Sequence, residues 1–241
     1  MSFELSPSLD AADYRRSFGE RGYAHVRGVL TESAAAEIHA ALVEDTSYNY
    51  AFNDGSKHID LSTAQVKSMT QEQIARLQQA IYAQAQKGFQ YCYNNYPIHD
   101  VYKAGKNKGH LLHRFYEWIN GEEFLAFCRE LTGFDDISFA DAQATRYRPG
   151  HFLTCHDDSL EGKNRRAAYI FNFTPQWLPD WGGYLQLLDD DDHVRHGFRP
   201  VFNALNVIAV PQKHNVSLVT PFAGGDRLSV SGWLRFGPPG G

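Results

Sequence analysis

From Ile137 onward the chain breaks into short β-branched and aromatic runs, and this rhythm limits its fold more than any other feature. The runs cover 137–147, 152–158, 167–173, 184–188, 206–210, 214–219 and 227–236. Turn residues separate them: Pro149-Gly150, Glu161-Gly162, Trp181-Gly182-Gly183, the acidic stretch Asp189 to Asp192, and Gly224-Gly225-Asp226. Short strands cut by turns predict a sandwich or jelly roll.

Upstream the pattern is mainly helical. Short helices are expected at 10–20 and 122–131, the second stopped by Gly133. Thr31 should cap an alanine-rich helix reaching about Glu44. Thr70 and Gln73 form a capping-box pair, and Ile74, Leu77, Ile81 and Ala85 keep helical spacing, so this helix is expected to run to about Asn94. Tyr23 to Leu30 reads as a strand, and Tyr48 to Ser62 as a polar loop. Helices first and strands second give an α+β class. The expected organisation is one domain over 1–241, with 1–135 mainly helical support and 136–236 the β core. The glycine- and proline-rich end, 237–240, reads as loose.

Composition narrows the function classes. A net charge of −5 argues against general nucleic-acid binding, which needs a basic face, although local basic patches stand at Lys103 to Lys108 and Lys163 to Arg166. No apolar run approaches the length of a membrane span, and the N-terminus lacks the pattern of a signal peptide. Cys92, Cys128 and Cys155 are too few and too scattered for a disulfide framework, so a reducing cytoplasm is the expected setting.

The chemistry is carried by His156-Asp157-Asp158, with His214 far downstream. On a strand, residues two apart face one side, so His156 and Asp158 would point together while Asp157 turns away. Two imidazoles and one carboxylate form the facial triad that holds Fe(II) and leaves positions open for a bidentate 2-oxo acid and O₂. His-x-Asp alone is a weak signal, and eleven histidines make a distant partner unremarkable. Arg227 strengthens the pattern. It opens a strand on which Arg227, Ser229, Ser231 and Trp233 share a face, and a guanidinium flanked by hydroxyls suits a carboxylate clamp. The competing reading puts Arg227 on an exposed strand, paired with neighbouring Asp226 or another acid. Tyr147, just before the His-x-Asp strand, either donates to the same carboxylate or is ordinary cross-strand packing. His193 and His196 flank an acidic hairpin tip and read as a solvated turn.

These segments together resemble the 2-oxoglutarate- and Fe(II)-dependent dioxygenases. The resemblance runs through Ala144 to Gly150, His156 to Asp158, Trp181 to Leu185, Val210 to Val216 and Arg227 to Trp233. It is strongest to the prolyl-hydroxylase branch, and within it to enzymes that modify ribosomal proteins or the hypoxia factor. It implies a double-stranded β-helix with Fe(II) on His156, Asp158 and His214. It also implies 2-oxoglutarate on Arg227 and Tyr147, with Arg165 and Trp233 as walls near the substrate. Asn172 stands where some members carry a second co-substrate tyrosine. O₂ and ascorbate are implied with the iron, and no acid–base residue is needed beyond the metal centre. A protein or peptide with a prolyl target is the expected substrate. The alternatives are a small-molecule or other-residue hydroxylase of the same class, and a non-catalytic jelly-roll binding module.

Overall fold

The computed structural model describes residues 3–55 and 57–237. The segment expected to be loose lies outside these residues beyond Gly237. Seven α-helices are described: α1 (Ala12–Arg21), α2 (Glu32–Ala40), α3 (Thr63–Ser68), α4 (Gln71–Ala85), α5 (Ile98–Lys103), α6 (Leu111–Ile119) and α7 (Glu122–Thr132). The first half also carries β1 (Tyr23–Arg27), β2 (Asn49–Asp54), β3 (Lys57–Leu61) and β4 (Tyr91–Tyr96). The second half holds β5 (Ile137–Ala140), β6 (Gln143–Tyr147), β7 (Phe152–His156), β8 (Arg165–Asn172), β9 (Leu185–Leu188), β10 (Val194–Phe198), β11 (Ala204–Ala209), β12 (His214–Val216) and β13 (Arg227–Phe236).

The strands join into one curled antiparallel sheet in the order β1-β11-β8-β13-β6-β4-β7-β12-β9-β10, with the β2–β3 hairpin added beside β4 and β5 beside β13. This is the expected α+β jelly-roll class. The main core lies between the helices and one face of β8, β11 and β13, where Phe115, Phe124, Leu131, Tyr169, Phe171 and Val207 are fully enclosed. A smaller cluster seats α4 on the sheet through Ile81, Phe52, Cys92 and Phe152.

Local chemistry explains most boundaries. Thr70 accepts from Gln73 N, and the Gln73 side chain accepts from Thr70 N, so α4 begins with both donors satisfied. Gly133 ends α7 in the left-handed region at φ 75°, its N–H donating to Arg129 O.

Two expectations fail. The loop expected over 48–62 is the β2–β3 hairpin. The helix expected to reach Asn94 stops at Ala85, because Lys87-Gly88 breaks it and Tyr91–Tyr96 pairs as a strand with β2, β6 and β7 instead. The second error hid β4, which lies between β6 and β7 in the sheet.

β13 passes so close to the β5–β6 turn that a Cβ on Gly232 would sit 2.1 Å from the Asp141 carbonyl oxygen. Gly232→Ala is therefore expected to cost about 1–3 kcal/mol and to lower the melting temperature. An unchanged melting curve would mean that the Asp141 turn yields freely.

Candidate metal centre

His156 ends β7 and His214 begins β12, and the two residues are direct antiparallel partners. Their rings lie 4.2 Å apart between centroids. The Asp158 carboxylate completes the group: one oxygen is 3.5 Å from His156 Nε2 and the other 3.4 Å from His214 Nε2. The three ligand atoms fall within 4.8 Å of one another. One ion with bonds of about 2.1 Å fits between them.

Backbone carbonyls fix the ring tautomers. His156 Nδ1 lies 3.0 Å from Thr154 O, and His214 Nδ1 lies 2.7 Å from Gln212 O. Each Nδ1–H donates outward, so each Nε2 faces Asp158: protonated, it donates to the carboxylate, and deprotonated, it offers a lone pair to a metal. Burial alone would raise the Asp158 carboxyl. Hydrogen bonds and charge from His156 and His214 outweigh it and hold the group well below the usual carboxylate range. Burial presses His214 down, but Asp158 raises it overall.

Strand parity does not place Asp158. β7 stops at His156, and Asp158 turns back through a left-handed conformation at φ 61°. Arg165 supports that turn: its Nη1 donates to Asp158 O at 2.9 Å, and its guanidinium stacks 3.6 Å over the Trp233 ring. Arg165 thus stands behind Asp158 rather than inside the cluster. Trp233 lines the pocket, and its buried Nε1–H has no protein partner.

The pocket continues from the triad to Arg227, passing Thr145, Ser229 and Ser231. Arg227 is 2% exposed, and its Nε has no partner. Asp226 turns away to Arg146 and Arg148, so the expected alternative pairing does not form. Among the described residues no carboxylate lies in salt-bridge range of Arg227. Its contacts are the Ser229 hydroxyl at 3.3 Å and the face of Tyr147, 5.1 Å from the ring centre. Burial lowers the Arg227 pKa from its usual value. A desolvated cation with only neutral neighbours is costly unless an anion joins it. All four residues expected on one face, Arg227, Ser229, Ser231 and Trp233, do line the cavity.

Asn172 does not line it. Its amide donates weakly to Ala204 O and Ile170 O at 3.4 Å. A residue that the sequence reading missed, Tyr93 on β4, lines the pocket and stacks on Tyr147 at 5.1 Å. Alternation along Tyr91-Cys92-Tyr93 was the available sign, hidden by reading the segment as helix.

Comparisons with known proteins agree with this geometry. Residues 142–235 match the model of the 2OG-Fe(II) oxygenase superfamily. The mouse protein named prolyl 3-hydroxylase OGFOD1 is 36% identical over 124 residues, which cover 48% of this chain and 22% of that protein. The match thus spans under a quarter of that relative's length. Among solved structures, a Pseudomonas putida prolyl-4-hydroxylase superposes with a TM-score of 0.60 at 14% identity, covering 94% of this chain and 99% of that one. A Trichoplax adhaerens prolyl hydroxylase, solved with a hypoxia-inducible-factor peptide, gives 0.62 at 14% identity, covering 93% and 89%. The curled sheet is the double-stranded β-helix of these neighbours. Residues 142–235 are thus similar to the 2OG-Fe(II) oxygenase superfamily, and the curated relative places that similarity on the prolyl-hydroxylase side.

Proposed function

We propose that this chain is a 2-oxoglutarate- and Fe(II)-dependent dioxygenase that hydroxylates a prolyl residue of a protein or peptide. The observation that carries the reading is the placing of His156, Asp158 and His214 in one pocket with a buried, acid-free Arg227. His156 Nε2, His214 Nε2 and an Asp158 oxygen would hold the iron. When bound, iron couples decarboxylation of 2-oxoglutarate by O₂ to insertion of oxygen into a substrate C–H bond, giving succinate and CO₂.

The protein's own contribution is binding, orientation and exclusion of water. Arg227 holds the far carboxylate of the co-substrate, and Tyr147 offers a phenolic hydroxyl beside it. Burial pushes the Tyr147 pKa well up, so the phenol stays protonated as a donor. Trp233 lines the pocket with Arg165 packed on its ring, and a prolyl ring packs against such an aromatic side chain. Support for a prolyl target comes from the names borne by the curated relative and the solved neighbours. Ascorbate is the expected reductant for idle turnovers. A reducing cytoplasm suits the three unpaired cysteines, and no described helix is long and apolar enough to cross a membrane.

The test is direct. Iron-loaded protein given 2-oxoglutarate, O₂ and a cell lysate should produce succinate, and mass spectrometry should find one added oxygen on a proline. Absence of succinate would remove the dioxygenase reading. Oxygen on a different residue would correct the substrate alone.

A further inference from the structure

A ladder of aromatic rings leaves the pocket along β4. Tyr147 stacks on Tyr93 at 5.1 Å, and Tyr93 meets Tyr91 at 5.4 Å. A second route joins at the same residue: Phe89 lies 5.5 Å from the His156 ring and 5.7 Å from Tyr91. Both routes converge on Tyr91, and there the chemistry changes. The Tyr91 hydroxyl is 2.5 Å from His58 Nδ1, and His58 Nε2 is 3.3 Å from an Asp60 oxygen. The Nε2–H tautomer of His58 donates to Asp60 and accepts from the Tyr91 phenol. His58 and Asp60 both lie on β3, two residues apart, and β2 lies between that strand and β4.

Packing explains rings in contact, but it does not call for an acid-backed base on one phenol. Two other tyrosine–histidine pairs, Tyr116–His99 and Tyr96–His113, occur in the protein. Among the described residues neither of those tyrosine rings contacts the ladder.

We propose that Tyr91 is a redox-active tyrosine, a one-electron donor reached from the pocket through Tyr93 and coupled to His58 as proton acceptor. The inference rests on the dioxygenase reading above. Its occasion is a turnover with no substrate C–H bond in place. The Tyr91 phenol then loses one electron to the iron-based oxidant derived from O₂ and 2-oxoglutarate. Its O–H bond breaks, and the proton moves to His58 Nδ1. Tyr91 becomes a neutral phenoxyl, the metal centre is reduced by one electron, and His58 becomes an imidazolium held by Asp60. A reductant of the enediol class returns the electron, and the proton returns from His58.

The electrostatics select Tyr91 over its neighbours. Arg227 stands over Tyr147 and repels positive charge there. The side chain beside the Tyr93 hydroxyl is the neutral amide of Gln143, and among the described residues no histidine bonds to Tyr93. Burial raises the Tyr91 pKa to about 12, so the phenol keeps its proton until a base takes it together with the electron.

The experiment is freeze-quench electron paramagnetic resonance on iron-loaded protein with 2-oxoglutarate and O₂ but no substrate, with succinate measured in the same samples. Wild type is expected to show a phenoxyl signal. Tyr91→Phe should cut its yield, and His58→Gln should slow its formation, each roughly tenfold or more. Melting curves and 2-oxoglutarate binding should stay unchanged in both variants. Succinate formed without a radical in wild type, or a full radical yield in Tyr91→Phe, would overturn the relay and leave the dioxygenase reading standing. Absence of succinate in wild type would instead remove that reading and the relay with it.

Discussion

Asp158→Ala is expected to abolish turnover and to weaken ferrous-ion binding by well over about 100-fold, since even residues behind metal ligands change affinity by 10- to 100-fold. Asp158 supplies the only carboxylate of the three-residue cluster, with one oxygen toward each Nε2. Its removal leaves two neutral imidazoles facing a divalent cation. Asp158→Asn separates charge from shape: the amide fills the same space but brings no negative charge, so it should rescue little. Metal titration and succinate production measure both. Near-wild-type succinate from either variant would dismiss Asp158 as a ligand.

Arg227→Met is expected to move two readouts in opposite directions. Removing one partner of a buried charge pair costs about 2–5 kcal/mol, which corresponds to a rise in the 2-oxoglutarate KM on the order of 100-fold or more. The metal-free protein should meanwhile gain stability. Replacing uncompensated buried charge with an apolar side chain is often neutral or stabilising by about 1–4 kcal/mol. Arg227 fits that case, being 2% exposed with an orphaned Nε. A higher melting temperature with a higher KM marks a cation kept for its ligand. An unchanged KM would dismiss the clamp, and a lower melting temperature would mark Arg227 as a packing residue.

The residues that carry the site were legible because strand periodicity is short-range. Arg227, Ser229, Ser231 and Trp233 line one cavity as their spacing requires, and β13 runs over the expected residues, Arg227 to Phe236. His156 and Asp158 came together as expected, but through a backbone reversal rather than strand parity. A left-handed aspartate leaves little trace in sequence. The family resemblance points to Asn172, on the strand after the His-x-Asp pair, as the place of the second tyrosine. The structure supplies a pocket tyrosine from β4 instead, because the sheet folds Tyr93 back over Tyr147. That contact joins residues more than fifty positions apart. The helix expected over the same stretch drew on Ile74, Leu77, Ile81 and Ala85, whose period cannot say where the helix ends. Gly88 and the aromatic alternation after it were the local evidence against it.

Anaerobic titration of Fe(II) into metal-free protein, followed by 2-oxoglutarate, tests the central arrangement most directly. One ferrous ion per chain should bind, and 2-oxoglutarate should then add the visible charge-transfer absorption of an iron-chelated 2-oxo acid. Both signals should vanish in His156→Ala and His214→Ala, and in Arg227→Met only the co-substrate step should weaken. Iron binding that persists without either histidine, or a chelate that forms equally well without Arg227, would contradict the account.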